Sequence, residues 1–295
     1  MMHTAYRQQT LAKNVALSGT GVHSGKTNHI KIKPAEENHG IKFRRVDLPG
    51  TQDIPALFKR VVDTSLATVL GVNGAIVSTI EHLMASFAGL GIDNALVEMD
   101  EYEMPIMDGS AKEFTRAIAA AGIVTQRLPR HIMIIKKPVR IQDQDKFVEV
   151  LPAPCFKITC SIEFDHDLIG SQRITFDRLE NDFEKEISHA RTFGFIQDLE
   201  LLKKFSLGKG GSLDNAIVID KDRILNSEGL RYPDEFVRHK LLDSLGDFFL
   251  LGMPIQGHIT SHKSGHTLNH RFIQTLLDTR DAWETGPAVV EQHSI

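Results

Sequence analysis

Cysteine is scarce in this sequence, and its scarcity excludes a fold held together by disulfide bonds. Cys155 and Cys160 are the only two cysteines among 295 residues. Two thiols are too few for a disulfide framework, and too few to form a zinc cage by themselves. Because this cysteine usage fits a reducing compartment, we expect a cytoplasmic protein.

Long apolar segments are also missing, which argues against a membrane-spanning protein. The most apolar helix-like run, residues 241–255, is shorter than the roughly 18 residues that a membrane span requires, and it carries Asp243 and Asp247. The first residues, MMHTAYRQQTLAKN, lack the apolar centre of a signal peptide. We therefore expect no transmembrane segment.

An excess of positive charge is absent as well. The chain has 34 basic and 38 acidic residues, which gives a net charge of −4. This excludes the basic field over the whole surface that nucleic-acid binders use, although a local basic groove remains compatible with it. The content of 41% hydrophobic and 24% charged residues is that of an ordinary globular protein. We therefore expect no nucleic-acid partner. A monomer is also expected, although the charge and composition do not determine the oligomeric state.

Two halves can be distinguished along the chain, as its length suggests. The polar, proline-containing stretch 125–130 separates them. We predict a first domain at 1–127, a second at 128–281 and a frayed polar tail at 282–295. Apolar alternation between turn residues predicts strands at 31–34, 41–45, 96–99, 132–135, 147–152, 156–164 and 257–260.

Four segments have the apolar spacing of helices. The pattern S-x-x-E at 78–81 and again at 110–113 fits a capping box, in which the two side chains satisfy the first backbone N–H groups of a helix. Helices are therefore predicted to begin at both boxes and to end at the glycines near 90 and at 122. Two further helices are predicted at 234–251 and 266–279.

The helix at 234–251 carries a polar stripe. His239, Asp243 and Asp247 are each four residues apart, so their side chains leave the same helical face. A His and an Asp one turn apart can bind one divalent cation. A solvated stripe with a His–Asp hydrogen bond is the alternative, and the pair alone favours it.

The helix predicted after Ser78 carries an adjacent Glu81 and His82. Neighbouring helical residues point about 100° apart, so His82 could bind a metal while Glu81 reaches a water on that metal. The alternatives are a capping carboxylate and a core histidine. With His239 and Asp243, His82 would complete an open catalytic zinc site.

Other histidines and glycines offer competing interpretations. His258, His262, His266 and His270 have helical spacing, but glycines at 257 and 265 interrupt them, so we interpret most of them as loop residues and only His266 as a possible proton donor. The glycine-rich segments 18–25 and 207–212 could cradle phosphates. Neither has a P-loop or dinucleotide-binding pattern, which favours ordinary turns.

Eight motifs taken together resemble the UDP-3-O-acyl-N-acetylglucosamine deacetylase (LpxC) family, zinc enzymes of the committed step of lipid A synthesis in Gram-negative bacteria. The resemblance extends from about residue 7 to residue 277. The motifs occur in the order of the family: GTGVHSG at 19–25, STIEHL at 78–83, GLGIDN at 89–94, PIMDGS at 105–110, ARTFGF at 190–195, GSLDN at 211–215, RHKLLD at 238–243 and KSGH at 263–266.

This resemblance implies a fold and a reaction. The fold would be α+β, with two similar α/β-sandwich domains packed helix face to helix face and a small insert in each. The reaction would be hydrolysis of the N-acetyl group of UDP-3-O-(3-hydroxyacyl)-N-acetylglucosamine, which gives acetate and the free amine. One Zn²⁺ would be bound per chain, with Fe²⁺ as an alternative.

The resemblance also implies a role for individual residues. Glu81 would be the general base and His266 the general acid, and the oxyanion would lie between zinc and Thr192. Asp247 would orient His266, and Lys240 would support the site. The metal ligands would be His82, His239 and Asp243. Lys146 would lie near the nucleotide phosphates of the substrate. The other residues expected to contact the substrate, most of them in an apolar passage for the acyl chain, are Phe193, Phe195, Ile196, Leu202, Gly211, Ser212, Ala216 and Val218.

Two other functions remain open from the residues alone. A phosphotransferase would use the glycine loops with ATP and magnesium. A non-catalytic sugar-nucleotide or lipid-binding protein would bind the same ligand and release no acetate.

Overall fold

A computed structural model describes residues 6–177, 182–198 and 204–288. The chain has an α+β fold, as predicted, in which several separate sheets accompany a small number of helices. The elements of the first half are β1 (Arg7–Leu11), β2 (Val15–Thr20), β3 (Thr27–Pro34), β4 (Ile41–Arg45), β5 (Ile54–Pro55), β6 (Val61–Asp63), β7 (Val69–Val72), β8 (Ala75–Ser78), α1 (Glu81–Leu90), β9 (Ala95–Met99), α2 (Lys112–Ala121) and β10 (Ile123–Pro129).

The second half repeats the mixture of strands and helices. Its elements are β11 (His131–Ile135), β12 (Val139–Asp143), β13 (Lys146–Leu151), β14 (Phe156–Glu163), β15 (Ser171–Asp177), α3 (Phe183–Glu186), β16 (Phe193–Phe195), β17 (Ile217–Asp220), β18 (Arg223–Ile224), α4 (Glu235–Phe248), β19 (Ile255–His262), α5 (His266–Asp278) and β20 (Trp283–Pro287). Among the described residues, no helix combines the length and apolarity needed to cross a bilayer.

In the part of the chain that the structure describes, each half has one main sheet and one three-stranded sheet, and β1 and β10 form a further two-stranded sheet. The first main sheet has the order β2-β3-β9-β4-β5, and along β3 every second side chain is buried. The second has the order β12-β13-β19-β11-β20, with β14 beside β19 and β15 beyond β14. The three-stranded sheets are β6-β7-β8 and β16-β17-β18. The division into two domains at residue 127 stays a prediction.

Helices α1 and α4 pack against each other through their backbones. A Cβ atom added at Gly246 of α4 would lie 2.1 Å from the carbonyl oxygen of Glu81, the first residue of α1. Only a glycine allows this approach, because any side chain would force the helices apart. The contact brings α1 of the first half beside α4 of the second.

The polar stripe on α4 is buried, so the alternative of a solvated stripe is wrong. His239, Asp243 and Asp247 are 1%, 5% and 3% exposed. Apolar residues of the same helix, such as Phe236 and Leu241, are buried beside them. Buried charges need partners, and the stripe therefore has to be explained by what it contacts.

The capping box predicted at 78–81 is wrong. Ser78 is the last residue of β8, and α1 begins only at Glu81, with no side-chain cap. Between them Thr79 has a φ of 59°, a left-handed conformation that is strained for a β-branched residue. The Glu81 carboxylate is therefore free to take part in other contacts. The second box is also not formed as predicted, since α2 has Ala111 at its N-cap, although Gly91 and Gly122 end the two helices.

Two further expectations need correction. The polar stretch 125–130 lies mostly in β10, which pairs with β1, so it is a strand rather than a linker. The tail is ordered as far as Pro287, because β20 pairs antiparallel with β11 and Trp283 Nε1 donates to the Leu276 carbonyl at 2.8 Å. Residues 289–295 lie outside the described part of the chain.

Candidate active site

Two imidazoles and one carboxylate converge where α1 meets α4. His82 Nε2 lies 3.6 Å from Asp243 Oδ1, and His239 Nε2 lies 3.3 Å from the same oxygen. One ligand atom from each of the three residues lies within 4.8 Å of the other two, and all three residues are buried. Atoms that share a tetrahedral zinc ion are about 3.3–3.5 Å apart, so this spacing fits one metal ion.

Surrounding groups determine the protonation states of these three residues. His239 Nδ1 lies 3.1 Å from the Ala190 carbonyl, to which it can only donate, and this leaves Nε2 as the unprotonated atom that faces Asp243. Burial lowers the pKa of His239 to about 3, so the ring is neutral. Burial alone would raise the pKa of Asp243, but the Lys240 ammonium and the contact with His82 hold it well below its usual range. Lys240 Nζ donates to Asp243 Oδ2 at 2.9 Å.

Glu81 lies beside the trio at the start of α1. The residue is 4% exposed, and its Oε2 accepts a hydrogen bond from the Thr68 backbone N–H at 3.2 Å. Burial raises the pKa of Glu81, although His266 and His82 oppose that rise. A carboxylate with a raised pKa next to a metal site can accept a proton from water.

His266 faces Glu81 from the first residue of α5. Its Nε2 lies 3.9 Å from Glu81 Oε1, while its Nδ1 donates to Asp247 Oδ2 at 2.8 Å. Burial alone would lower the pKa of His266, but the Asp247 carboxylate raises it to about 10. The ring is therefore protonated at neutral pH and can donate a proton.

Asp247 is itself held by two residues that the sequence did not single out. The Thr68 hydroxyl donates to Oδ1 at 2.7 Å, and the Asn269 amide donates to Oδ2 at 2.8 Å. Asn269 is three residues after His266 on α5, a helical spacing that could have indicated it. Thr68 precedes β7 in the first half, and no local pattern connects it to Asp247.

A cavity of about 480 Å³ opens beside the trio. Thr192 lies on its wall, and the Thr192 N–H donates to the Gly109 carbonyl at 2.7 Å, which ties the first half to the second. The predicted passage residues that line it are Phe193, Phe195, Ile196, Gly211, Ser212, Ala216 and Val218. Leu202 lies outside the described residues. The cavity also contains residues that the sequence did not indicate: Val22, His23, Leu66, Thr79, Ile106, Leu213 and Leu225.

Lys146 lies in a different cleft, of about 390 Å³, on the other side of His266. Lys240 and His266 line both spaces. Lys263 and Arg271 add positive charge to this cleft, although each also contacts an aspartate, Asp145 and Asp143 respectively. Lys263 also lies 3.5 Å from Glu163, and Asp143 lines the cleft, so these carboxylates offset part of its positive charge.

The two glycine-rich segments meet each other and are not phosphate cradles. The N–H of Gly210 donates to the Val22 carbonyl at 3.0 Å. The N–H groups of His23 and Ser24 donate to the Glu103 carboxylate at 2.8 and 2.7 Å. Because these N–H groups are engaged by the chain itself, they are not available to phosphate.

The remaining histidines of the 258–270 series lie on regular elements and not in loops. His258 and His270 are in the strand and the helix predicted at 257–260 and 266–279, and His262 ends the same strand. His258 and His262 are in β19, where they contact the Thr159 and Ser161 hydroxyls at 2.9 Å. His270 is on α5, and its Nε2 donates to the Phe58 carbonyl at 3.2 Å. Within the described ranges, none of these three joins the metal trio.

Comparison with known proteins identifies the family. The sequence profile of LpxC, UDP-3-O-acyl N-acetylglycosamine deacetylase, matches residues 8–278. The chain is 49% identical to UDP-3-O-acyl-N-acetylglucosamine deacetylase of Myxococcus xanthus over 98% of this chain and 92% of that protein. It is 47% and 48% identical to the enzymes of that name from Idiomarina loihiensis and Acidithiobacillus ferrooxidans, in both cases over 94% of this chain and 92% of the relative. The chain belongs to the LpxC family and is a deacetylase, a hydrolase that acts on an amide.

Proposed function

We propose that this chain removes the N-acetyl group of UDP-3-O-(3-hydroxyacyl)-N-acetylglucosamine in a metal-dependent hydrolysis that releases acetate. The observation that carries the proposal is the convergence of His82, His239 and Asp243 beside Glu81 and His266, at the end of an apolar cavity. Relatives that bear this enzyme name align with nearly the whole chain.

Zn²⁺ is the proposed metal, and His82, His239 and Asp243 are its proposed ligands. Two neutral imidazoles and one carboxylate, all buried, are a donor set that zinc accepts in catalytic sites. Fe²⁺ prefers a similar set of ligands and is the alternative. When bound there, the cation would lower the pKa of a water molecule towards about 7 and polarise the substrate carbonyl.

Glu81 is the proposed general base. Its carboxylate faces the cavity beside the three ligand residues, and its burial keeps the pKa above that of an exposed glutamate. Such a carboxylate accepts the proton that water loses when it attacks the acetyl carbon. The Thr68 N–H at Oε2 keeps the carboxylate oriented.

His266 is the proposed general acid. The amine that leaves an amide is a poor leaving group unless its nitrogen is protonated. Asp247 keeps His266 charged and fixes its ring through Nδ1, so that Nε2 carries the proton toward the cavity. Glu81 and His266 therefore divide the two proton transfers between them.

Thr192 and Lys240 are the proposed neighbours of the developing charge. The Thr192 hydroxyl can donate to the oxyanion that forms at the acetyl carbon, since Thr192 lies on the cavity wall beside His239. Lys240 stays charged because the Asp243 carboxylate more than offsets the effect of burial on its pKa. Its ammonium would lower the free energy of a negatively charged transition state.

The 3-O-acyl chain is proposed to occupy the apolar part of the cavity. Phe193, Phe195, Ala216 and Val218 supply an apolar wall that leads away from the metal trio. Each buried methylene contributes about 0.8 kcal/mol, so a long acyl chain can dominate substrate binding.

The UDP end of the substrate is proposed to lie in the basic cleft. Lys146, Lys263 and Arg271 line this cleft beside His266 and Lys240. Their positive charge would attract the two phosphates, and His266, the proposed proton donor, lines the same cleft.

Metal analysis followed by an acetate-release assay tests the whole proposal. Purified protein should contain about one zinc per chain, lose acetate release after treatment with dipicolinate and regain it when Zn²⁺ is added. A phosphotransferase would need ATP and magnesium and tolerate the chelator, whereas a binding protein would retain the substrate and release no acetate. Either of these results would refute the deacetylase mechanism.

The cellular setting is part of the proposal. The cysteine usage and the net charge of −4 support a cytoplasmic enzyme that acts on its small-molecule substrate without a nucleic-acid partner. Light scattering after size-exclusion chromatography tests the proposed monomer.

A further inference from the structure

One peptide group connects a buried carboxylate to a proposed metal ligand. The Ala190 carbonyl accepts a hydrogen bond from His239 Nδ1 at 3.1 Å. The N–H on the other side of the same peptide bond belongs to Arg191, and it donates to Glu235 Oε1 at 3.0 Å. The peptide is therefore held at both of its polar atoms by residues of α4, one turn apart.

Glu235 is built into this position by a full set of donors. Its carboxylate is completely buried, and Oε1 also accepts from Arg191 Nε at 2.9 Å. Oε2 accepts from Arg191 Nη2 at 3.2 Å and from the Arg231 N–H at 2.6 Å. Arg191, 1% exposed, donates in addition to Glu228 and to the Gly229 carbonyl. The carboxylate cannot shift without breaking several charge-assisted hydrogen bonds.

We infer that Glu235 is a positioning residue for His239, acting through the peptide between Ala190 and Arg191. A carboxylate on the N–H of a peptide polarises its carbonyl, which then becomes a stronger acceptor for the imidazole Nδ1–H. A stronger acceptor fixes the tautomer and makes Nε2 a better metal ligand. The inference rests on the proposed function, since it assigns Glu235 to the metal site of that function.

The same arrangement bears on Thr192, which follows Arg191 in the chain. The Thr192 carbonyl accepts from the Ile217 N–H at 2.8 Å, and its own N–H donates to Gly109. With Arg191 held by Glu235, three successive residues have fixed backbone positions. Glu235 therefore orients the proposed oxyanion donor as well as His239.

Zn²⁺ titration of the metal-free protein against a chromophoric chelator tests the inference without any turnover. Glu235→Gln keeps the shape of the side chain but introduces an NH₂ group that cannot accept from Arg191. We expect it to bind Zn²⁺ about tenfold or more weakly, as for other residues that orient metal ligands. Long-range ¹⁵N–¹H spectra should show that His239 no longer occupies a single tautomer.

Two controls separate positioning from general destabilisation. Arg191→Lys removes the guanidinium but keeps the backbone N–H that contacts Glu235, so it should lower the unfolding temperature while Zn²⁺ affinity stays within threefold. Asp93→Asn perturbs a matched carboxylate, which accepts from the Gln9 N–H and from Arg130 and is not part of the metal trio. It should also leave Zn²⁺ affinity unchanged.

The outcomes are distinct. A folded Glu235→Gln that binds Zn²⁺ within threefold of wild type overturns the inference, and so does an equal loss of affinity in Asp93→Asn. Should Glu235→Gln not fold, Glu235→Asp decides, because its shorter side chain withdraws the carboxylate from the Arg191 N–H and should weaken Zn²⁺ binding more than threefold. A wild-type chain that binds no Zn²⁺ overturns both the inference and the proposed function.

Discussion

Gly246 lies directly against the backbone of Glu81. A methyl group at Gly246 would come within 2.1 Å of the Glu81 carbonyl oxygen, which is far inside van der Waals contact. Gly246 stands between Asp243 and Asp247 on α4, and Glu81 precedes His82 on α1. The distance between the two helices at this point therefore sets the distance between the proposed metal ligands.

Gly246→Ala should separate the two helices. Alanine favours a helix over glycine by about 1 kcal/mol, but a clash with backbone cannot be relieved by a side-chain rotation. We expect the free energy of unfolding to fall by about 1–3 kcal/mol, as for other overpacked cores, and Zn²⁺ affinity to fall with it. Denaturant unfolding and chelator competition measure the two effects.

Gly89→Ala is the matched control on α1. A methyl group there would meet the ring of Phe183 and not a main-chain atom of the metal site. The free energy of unfolding should fall, because the Phe183 ring has to move, while the Zn²⁺ affinity stays unchanged. If both variants weakened Zn²⁺ binding equally, the helix contact at Gly246 would have no special relation to the site.

Removal of the metal should lower thermal stability as well as activity. A ligand at 100 times its dissociation constant stabilises the folded state by about 2.7 kcal/mol, which corresponds to an unfolding temperature about 5 °C higher. His82→Ala should abolish this Zn²⁺-dependent shift in calorimetry. His262→Ala, a histidine of β19 that contacts Ser161, should retain it. A full shift in His82→Ala would exclude His82 as a ligand.

The pH dependence of the reaction should depend on Asp247. The raised pKa of His266, about 10, keeps the acid protonated below that value, so activity should fall only as the pH rises through it. Asp247→Asn removes the negative charge, so burial should lower the pKa of His266. The fall in activity at high pH should therefore begin at a lower pH. A plot of log kcat against pH from 5 to 11, measured for wild type and for Asp247→Asn, locates the alkaline limb of each protein.

His266→Gln provides the reference for this profile. Without the proton donor, the rate should fall roughly 100- to 10,000-fold and the alkaline limb should disappear. An Asp247→Asn profile that coincides with wild type would show that the carboxylate does not control His266.

The apolar cavity should discriminate between acyl chains. Val218→Phe reduces the space available to a long chain without touching the metal trio. We expect kcat/KM to fall strongly for a long acyl substrate and little for a short one. In the wild type each methylene lost should cost about fourfold in kcat/KM, the equivalent of about 0.8 kcal/mol. Equal losses for both substrates would contradict the assignment of this cavity.

Lys146→Gln should affect the nucleotide end of the substrate. We expect KM to rise with little change in kcat, and the difference from wild type to shrink at high salt, where charges are screened. Lys136→Gln is the control, since Lys136 is exposed and paired with Glu284. A change in kcat alone would contradict a role in binding.

The sequence, read with its family resemblance, predicted that His82, His239 and Asp243 come together, and it predicted most of the elements that carry them. The i, i+4 spacing of His239 and Asp243 survives folding because it is a property of one helix, and α4, α5 and β19 occur close to where periodicity predicts them. Residue spacing also suggested His82 as the third member, but it left a core histidine as the alternative, and the family motifs favoured the ligand.

The features that the sequence did not predict depend on contacts between distant parts of the chain. Thr68 and Asp247 are 179 residues apart, and no pattern in either segment indicates that the hydroxyl reaches the carboxylate. The capping box was predicted wrongly for a related reason. Pairing of β7 with β8 extends the strand through Ser78, and this tertiary interaction overrides the local preference for a cap.

The position of His266 near the end of the fold has a consequence for biosynthesis. The ribosome delivers His82 early, His239 much later and the proposed acid only with α5, which must still pack before the site is complete. On the proposed mechanism, a chain that ends before α5 would lack the proton donor, and it would not hydrolyse the acetamide even if it bound the cation. Catalytic competence would then require the packing of α5, an element that the ribosome completes only a few residues before β20.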